Sequence, residues 1–297
     1  MILCRTIAEL KNELISIKQS NDQATIGLVP TMGFLHEGHA SLMRQSAAEN
    51  TASVLSIFVN PMQFGPNEDF ERYPRDEARD LAIAKDNGID IVFMPEVKEM
   101  YPSKPRTSII VSQLTDRLCG ASRPGHFDGV GLVVSKLFHL VQPNRAYFGM
   151  KDAQQLAVIQ QMTDDLNMPV EIVPCPIVRE PDGLALSSRN VYLSAEQRQQ
   201  AVVLSQSLAL AKQWVEEKGI TPEELITRVK ARISEAGQAE IDYVEWLTYP
   251  SLELPAWNEP IAARSGKFIL ALAVKFGSTR LIDNALFVPT TEVNDHV

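Results

Sequence analysis

Apolar strand-like runs alternate with helix-like stretches through the first 175 residues, and that alternation constrains the fold more than any other feature of this chain. Ile26-Gly27-Leu28-Val29 anchors a strand predicted over 24–30. A second is predicted over 52–59 and a third over 89–93, after a helix at 75–87. Ser108-Ile109-Ile110-Val111 reads as a short edge strand. A helix follows over 129–141, with Leu132, Val133, Lys136, Leu137 and Leu140 on one face, then a strand at 145–148, a helix at 152–166 and a strand at 170–173. Near the start, Thr6–Glu9 has capping-box form, and Ile7, Leu10, Leu14 and Ile17 mark a helical stripe. Strands that are apolar throughout, rather than alternately, are buried on both faces, which is the signature of a parallel sheet between helix layers. Such sheets bind ligands beyond the carboxyl ends of their strands. The segments 30–39, 60–65 and 149–155 each follow a strand and are expected to converge on one crevice.

The texture changes near 174–194, where Pro174, Pro176, Pro181 and Gly183 cluster. Ser194-Ala195-Glu196-Gln197 then opens a long helix to about 217, and Thr221-Pro222-Glu223-Glu224 opens another. Strands are predicted over 241–247, 268–274 and 280–283, with Gly277-Ser278 as a hairpin turn between the last two. The expected class is α/β: a parallel-sheet domain over 1–185 and a smaller C-terminal α+β domain over 186–297.

Phosphate chemistry enters at Pro30-Thr31-Met32-Gly33-Phe34-Leu35-His36-Glu37-Gly38-His39, between the first of these strands and a helix predicted from Ala40 onward. A helix N-terminus offers free N–H groups and a positive dipole end, so it seats phosphate. Histidines at i and i+3 point to the same side there, and a bound phosphate meets both rings. A lone histidine at a helix start is more often a cap. A zinc site of the His-Glu-x-x-His kind needs histidines four apart, and here they are three apart with Gly38 between. The chain has no Gly-x-x-x-x-Gly-Lys-[Ser/Thr] loop and no Gly-x-Gly-x-x-Gly after a strand. Cations must therefore come from elsewhere: Lys151 in Phe148–Gln155, and Arg189 with two hydroxyls in Asp182–Asn190. Either segment alone is also readable as an ordinary solvated loop.

The net charge of −9 makes a general nucleic-acid binder a poor expectation, but it does not oppose a local anion site. Cys4, Cys119 and Cys175 form no Cys-x-x-Cys pair, which fits a reducing cytoplasm. Arg5, Glu9, Lys11, Glu13 and Lys18 interrupt residues 1–20, so no signal-peptide core is expected there, and no run is long enough to span a membrane.

His36-Glu37-Gly38-His39 resembles the His-x-Gly-His signature of the nucleotidyltransferase superfamily, whose members share a Rossmann-like sheet. Ser187-Ser188-Arg189-Asn190 resembles a variant of that superfamily's mobile Lys-Met-Ser-Lys-Ser loop. Longer strings narrow the likeness. Pro30–Gly33, Ser56–Phe64, Tyr73-Pro74-Arg75, Arg123–Phe127, Phe148–Gln155 and Asp182–Asn190 are similar to the pantoate–β-alanine ligase family over nearly the whole chain, most strongly from 28 to 193. The family usually has an acidic residue where this chain has Met150.

The resemblance implies an AMP-forming ligase that makes pantothenate in two steps through a pantoyl adenylate, releasing pyrophosphate and AMP. It implies catalytic roles for His36, His39, Lys151, Ser187, Ser188 and Arg189, with His39 the usual candidate for proton donor. It implies an ATP site lined by Met32, Gly33, Phe34, Leu35, His36, Glu37, Gly38, His39, Gly149, Met150, Lys151, Asp152, Val178, Leu186, Ser187, Ser188 and Arg189. Gln63 and Gln155 are expected to hold pantoate, with Asn60 and Phe64 nearby and Arg123 and His126 in a supporting loop. Mg²⁺ is expected with ATP, Asp80 being only a guess for its ligand. The expected partners are pantoate and β-alanine, with no nucleic acid and no membrane, and the expected assembly is a cytoplasmic homodimer with the C-terminal domain closing as a lid. Two rivals stay open: a nucleotidyltransferase acting on a phosphorylated alcohol, for which extra Arg or Lys in place of Gln63 and Gln155 is required, and a nucleotide-binding regulatory module without turnover.

Overall fold

The computed structural model describes residues 1–66, 68–256, 259–261 and 265–288. They form two compact units, Met1–Val178 and Arg179–Val297.

The first unit is built on a six-stranded, all-parallel sheet. Its strands are β1 (Ile2–Cys4), β2 (Ile26–Thr31), β3 (Ala52–Ile57), β4 (Ile91–Phe93), β5 (Arg145–Gly149) and β6 (Glu171–Cys175), in the spatial order β1-β4-β3-β2-β5-β6. Its helices are α1 (Ile7–Ser20), α2 (Glu37–Glu49), α3 (Glu77–Asp86), the short α4 (Val97–Met100) and α5 (Leu118–Ser122), α6 (His126–Val141) and α7 (Ala153–Asp165). Both faces of the sheet are covered: Ile26, Leu28 and Val29 in β2 and Val54 and Leu55 in β3 have no accessible surface. The apolar runs of the sequence are therefore central strands. From β2 the chain steps outward through β3 to β4, then crosses back to lay β5 on the other side of β2. That reversal makes the carboxyl ends of β2 and β5 the topological switch point, where a parallel sheet opens a crevice.

Two local expectations fail for identifiable reasons. Residues 108–111 form no strand. Ile109 packs instead on α6, where a Cβ on Gly131 would stand 3.0 Å from its side chain, and Ile110 is exposed. β1 gives too short a pattern to read from sequence, yet it pairs Ile2–Cys4 with Ile91–Phe93.

In the second unit the helix expected from 194 to 217 is two, α8 (Ala195–Ala201) and α9 (Val203–Trp214), followed by α10 (Pro222–Ser234) capped by Thr221. The strands β7 (Ala239–Thr248), β8 (Phe268–Phe276) and β9 (Thr279–Phe287) form an antiparallel sheet in that order. Gly277, at φ +60°, makes the two-residue turn between β8 and β9. Trp246 is fully buried and stacks on Phe268 within a core that includes Leu204, Leu225, Val229 and Leu272. The unit begins earlier than the expected boundary after 185. Arg179 bridges Ala185 and forks onto Asp283 at 2.6 and 2.9 Å, and Leu184 lies in the second core. No helix among the described residues is long and apolar enough to cross a membrane.

The packing of α6 on the turn after β3 is tight enough to test. A Cβ at Gly129 would lie 2.1 Å from the carbonyl oxygen of Met62, a backbone atom that cannot swing away. Gly129→Ala should destabilise the first unit by about 1–3 kcal/mol, the usual cost of overpacking, read as a lowered urea midpoint. An unchanged midpoint contradicts the close approach.

Candidate active site

The turn after β2 is shaped by backbone geometry before any ligand arrives. Gly33 (φ +83°) and Phe34 (φ +49°) both take left-handed conformations, the second unusual for a bulky residue. The consecutive N–H groups of Phe34 and Leu35 donate to the two oxygens of Asp80 on α3, at 2.8 and 2.7 Å. Thr31 fastens the start of the turn by donating its hydroxyl to the Ser56 carbonyl at 2.8 Å.

α2 then begins with a capping box made of imidazoles. His36 is the N-cap, and its Nδ1 accepts from the Gly38 N–H at 3.2 Å; His39, three residues on, accepts the His36 N–H on its own Nδ1 at 3.3 Å. Two backbone N–H groups at this helix start, those of His36 and Gly38, are thus taken by the rings themselves. The two rings lie with centroids 4.0 Å apart. Because each Nδ1 accepts, each neutral ring carries its proton on Nε2, and neither Nε2 has a hydrogen-bond partner among the described residues. Burial, followed by the Lys151 cation, pushes His36 down to about 4 against the opposing pull of Asp152. Burial, with His36 and Lys151 adding to it, holds His39 well below the ordinary imidazole value. At neutral pH both rings are uncharged N–H donors.

Lys151 reaches these rings electrostatically from the end of β5, so the two strands of the switch point contribute to one site. It sits in a 3₁₀ turn, Met150–Asp152, with its ammonium 3.9 Å from the Asp152 carboxylate. Asp152 is thus the carboxylate beside Lys151. A Cβ at Gly149 would meet no atom within 4 Å, so the protein's own packing does not require glycine there.

The turn after β3 holds the neutral amides. Asn60 is 1% exposed and fully occupied: Nδ2 donates to Gln63 Oε1 (3.1 Å) and the Gly129 carbonyl (3.0 Å), and Oδ1 accepts from the Met62 N–H (3.2 Å) and the Tyr101 hydroxyl (3.0 Å). Gln63 donates its Nε2 to Met32 Sδ at 3.2 Å. Its backbone carbonyl accepts from His126 Nδ1 at 2.8 Å and from Arg123 at 3.3 Å. Arg123 forks onto Glu68 with two 2.6 Å bonds and meets His126 Nε2 at 3.1 Å. Burial, then Arg123, brings His126 down to about 4. Phe64 stands edge-on to Phe70 and Tyr73, forming an aromatic wall. Gln155, half-buried in the first turn of α7, makes no side-chain hydrogen bond among the described residues.

The expected site residues therefore separate by what they are free to do. His36, His39, Gln155 and the Gln63 amide keep capacity for a ligand, while Asn60, Arg123 and His126 spend theirs fixing the Gln63 turn. Leu35 is a core residue with no accessible surface, and Glu37 pairs with Arg44 on α2. Both Asp80 oxygens are engaged by backbone, and the described residues contain no group of three or more His, Cys, Asp or Glu side chains suited to a metal. Sequence reading missed Glu68 and Tyr101, which no local pattern flags. Gly129 had a signal, a glycine inside a helical run, and its packing reason appears only in three dimensions.

In the second unit, Ser187 caps a 3₁₀ turn over Ser188–Tyr192 by accepting the Arg189 N–H at 3.3 Å. Asn190 donates to Glu180 (3.3 Å) and to the Ala185 carbonyl (3.1 Å), and Arg198 holds Glu180 and Asp182, each at 2.7 Å. Leu186, just before this turn, is half-buried, whereas Val178 is the last residue of the first unit.

A family model described as Pantoate-beta-alanine ligase matches residues 2–286. The chain is 53% identical over 284 residues to the pantothenate synthetase of Caldicellulosiruptor saccharolyticus, covering 96% of this chain and 98% of that one. It is 55% identical over 287 residues to that of Acetivibrio thermocellus, covering 96% and 99%. Among solved structures, pantothenate synthetase from Thermus thermophilus superposes with a TM-score of 0.86 at 44% identity, covering 96% and 99%. Pantoate-beta-alanine ligase from Francisella tularensis, solved in complex with beta-gamma ATP and beta-alanine, gives 0.77 at 34% identity, covering 98% and 100%. The family model spanning nearly the whole chain, these relatives and the shared fold show that the chain belongs to the pantoate–β-alanine ligase family.

Proposed function

We propose that this chain condenses pantoate with β-alanine at the switch point of its parallel sheet, and that the paired imidazole N–H donors beside Lys151 are its triphosphate seat. A pantoate carboxylate oxygen attacks the α-phosphorus of ATP, and pyrophosphate leaves. The β-alanine amine then attacks the acyl carbon, loses a proton, and AMP departs with the bond electrons. A free carboxylate is a poor acyl donor, so the adenylate supplies the leaving group. The first step calls mainly for alignment and for donors aimed at the developing charge.

His36 and His39 donate through Nε2 to phosphate oxygens as neutral rings, and Lys151 supplies the charge. Met32, Gly33, Gly149, Met150 and Asp152 line the nucleotide, with Val178 at the end of the first unit. Leu186, Ser187, Ser188 and Arg189, in the loop that resembles the superfamily's mobile signature, are assigned to the nucleotide as well. Gln63 and Gln155 suit the hydroxyls and carboxylate of a small diol acid. Neutral amides fit such a ligand better than a phosphorylated alcohol, which calls for cations, and they reject analogues lacking the hydroxyls. Phe64 and Met32 offer apolar surface for the gem-dimethyl group. Mg²⁺ enters as the companion of ATP, held mainly by phosphate oxygens as Mg²⁺ usually is, since Asp80 is engaged elsewhere. A cytoplasmic homodimer is carried over from the family and is measurable by sedimentation.

ATP–pyrophosphate exchange should require pantoate and not β-alanine, while AMP release should require both. Exchange without pantoate, or none at all, overturns the assignment. His39→Ala and Lys151→Ala should each lower kcat for adenylation by about 10²–10³, the scale of losing a preorganised donor; near-native rates contradict their roles.

The low imidazole values give a pH expectation. Free-enzyme groups govern kcat/KM, and protonating either ring removes the Nδ1 acceptor and breaks the cap. The profile for ATP should carry no imidazole limb between pH 6 and 8 and should fall only as pH drops toward about 4, where His36 titrates. An acid limb near pH 6.5 that disappears in His36→Gln contradicts the neutral-donor assignment.

A further inference from the structure

The carboxylate of Asp80 is 2% exposed and lies on α3, forty-odd residues beyond the turn it touches. Successive N–H groups in a left-handed turn form a concavity that binds anions. Here Asp80 fills that concavity from within the protein, one oxygen to Phe34 and the other to Leu35. The fit is close, since a Cβ on Gly33 would stand 2.9 Å from Asp80 Oδ2. The neighbouring Arg79 guanidinium lies over the Phe34 ring at 5.1 Å, so α3 grips that residue by side chain as well as backbone. Phe34 is held at a φ that costs free energy and persists only where surrounding contacts impose it, and the chain enters the imidazole cap of α2 immediately afterwards.

We infer that Asp80 is a positioning residue for ATP: its carboxylate locks the Gly33–Leu35 turn so that the two Nε2–H groups of His36 and His39 face the triphosphate, and it is not a ligand of Mg²⁺. With Asp80 on them, these two N–H groups are already occupied from within the protein. This assignment rests on the histidine turn being the nucleotide seat.

Asp80→Asn tests it. A carboxamide keeps the shape but presents one oxygen and one N–H₂, so one of the two backbone donors faces a donor. With the thermal midpoint near wild type, the Kd for ATP should rise about tenfold or more, the size of losing one charge-assisted hydrogen bond. The Kd for pantoate should stay within about twofold and the Mg²⁺ midpoint of activity should not move. Equal loss of ATP and pantoate binding, an unchanged ATP Kd, or a shifted Mg²⁺ midpoint with normal ATP affinity at saturating Mg²⁺ each overturns it. His39→Ala measured alongside separates the two layers. If it leaves ATP affinity intact, the nucleotide seat itself is wrong; if it weakens ATP and Asp80→Asn does not, only the lock is wrong. Should Asp80→Asn fail to fold, amide exchange in the unaltered enzyme decides: the Phe34 and Leu35 N–H groups should be protected before any nucleotide is added, and exchange at surface-loop rates overturns the lock.

Discussion

Two imidazoles stand in for the side-chain oxygens that ordinarily cap a helix, and the chemistry of the site depends on that substitution. A serine or aspartate at an N-cap satisfies a backbone donor and ends there. An imidazole accepts the backbone N–H on Nδ1 and presents a second N–H on Nε2. The donors of the α2 N-terminus are in this way passed outward through two rings, each polarised by the N–H behind it. The cap also fixes the tautomer, because an Nδ1 that accepts cannot carry the proton. Burial then keeps both rings uncharged, with the Lys151 cation nearby adding to that effect.

The sheet makes this arrangement converge. β2 and β5 are neighbours whose onward connections run in opposite directions, so the histidine turn and the Lys151 turn emerge side by side. β3, on the far side of β2, delivers the Gln63 turn next to them, and α6 braces it through Gly129 and the Arg123–His126–Glu68 group. The amide turn and the imidazole turn thus come from adjacent strand ends, joined where Gln63 meets Met32.

Much of this was legible in the residues. Runs such as Ala52–Ile57 are buried on both sides and say so by lacking alternation, and His36-Glu37-Gly38-His39 lies, as its pattern indicates, where a strand hands over to a helix. What was not legible are the long-range satisfactions. Asp80 looks like any acidic residue in a first helical turn, and only the fold reveals that its two oxygens serve N–H groups on a different loop. The resemblance sets Asn60 and Arg123 beside the substrate, and in the structure Asn60 bonds to Met62, Gln63, Tyr101 and Gly129 while Arg123 bonds to Gln63, Glu68 and His126. Ile109 has strand propensity but packs against Gly131 of α6 and pairs with no strand. In each case the pattern gives a residue's capacity, and the partner comes from a segment dozens of positions away.

The tautomer of the two histidines is the most direct test of this account. In ¹⁵N-edited spectra of imidazole-labelled protein at pH 7, before nucleotide is added, His36 and His39 should each show a proton-free Nδ1 and a protonated Nε2, with the Nε2 resonances moving when an ATP analogue binds. Charged rings, or protons on Nδ1, would contradict it.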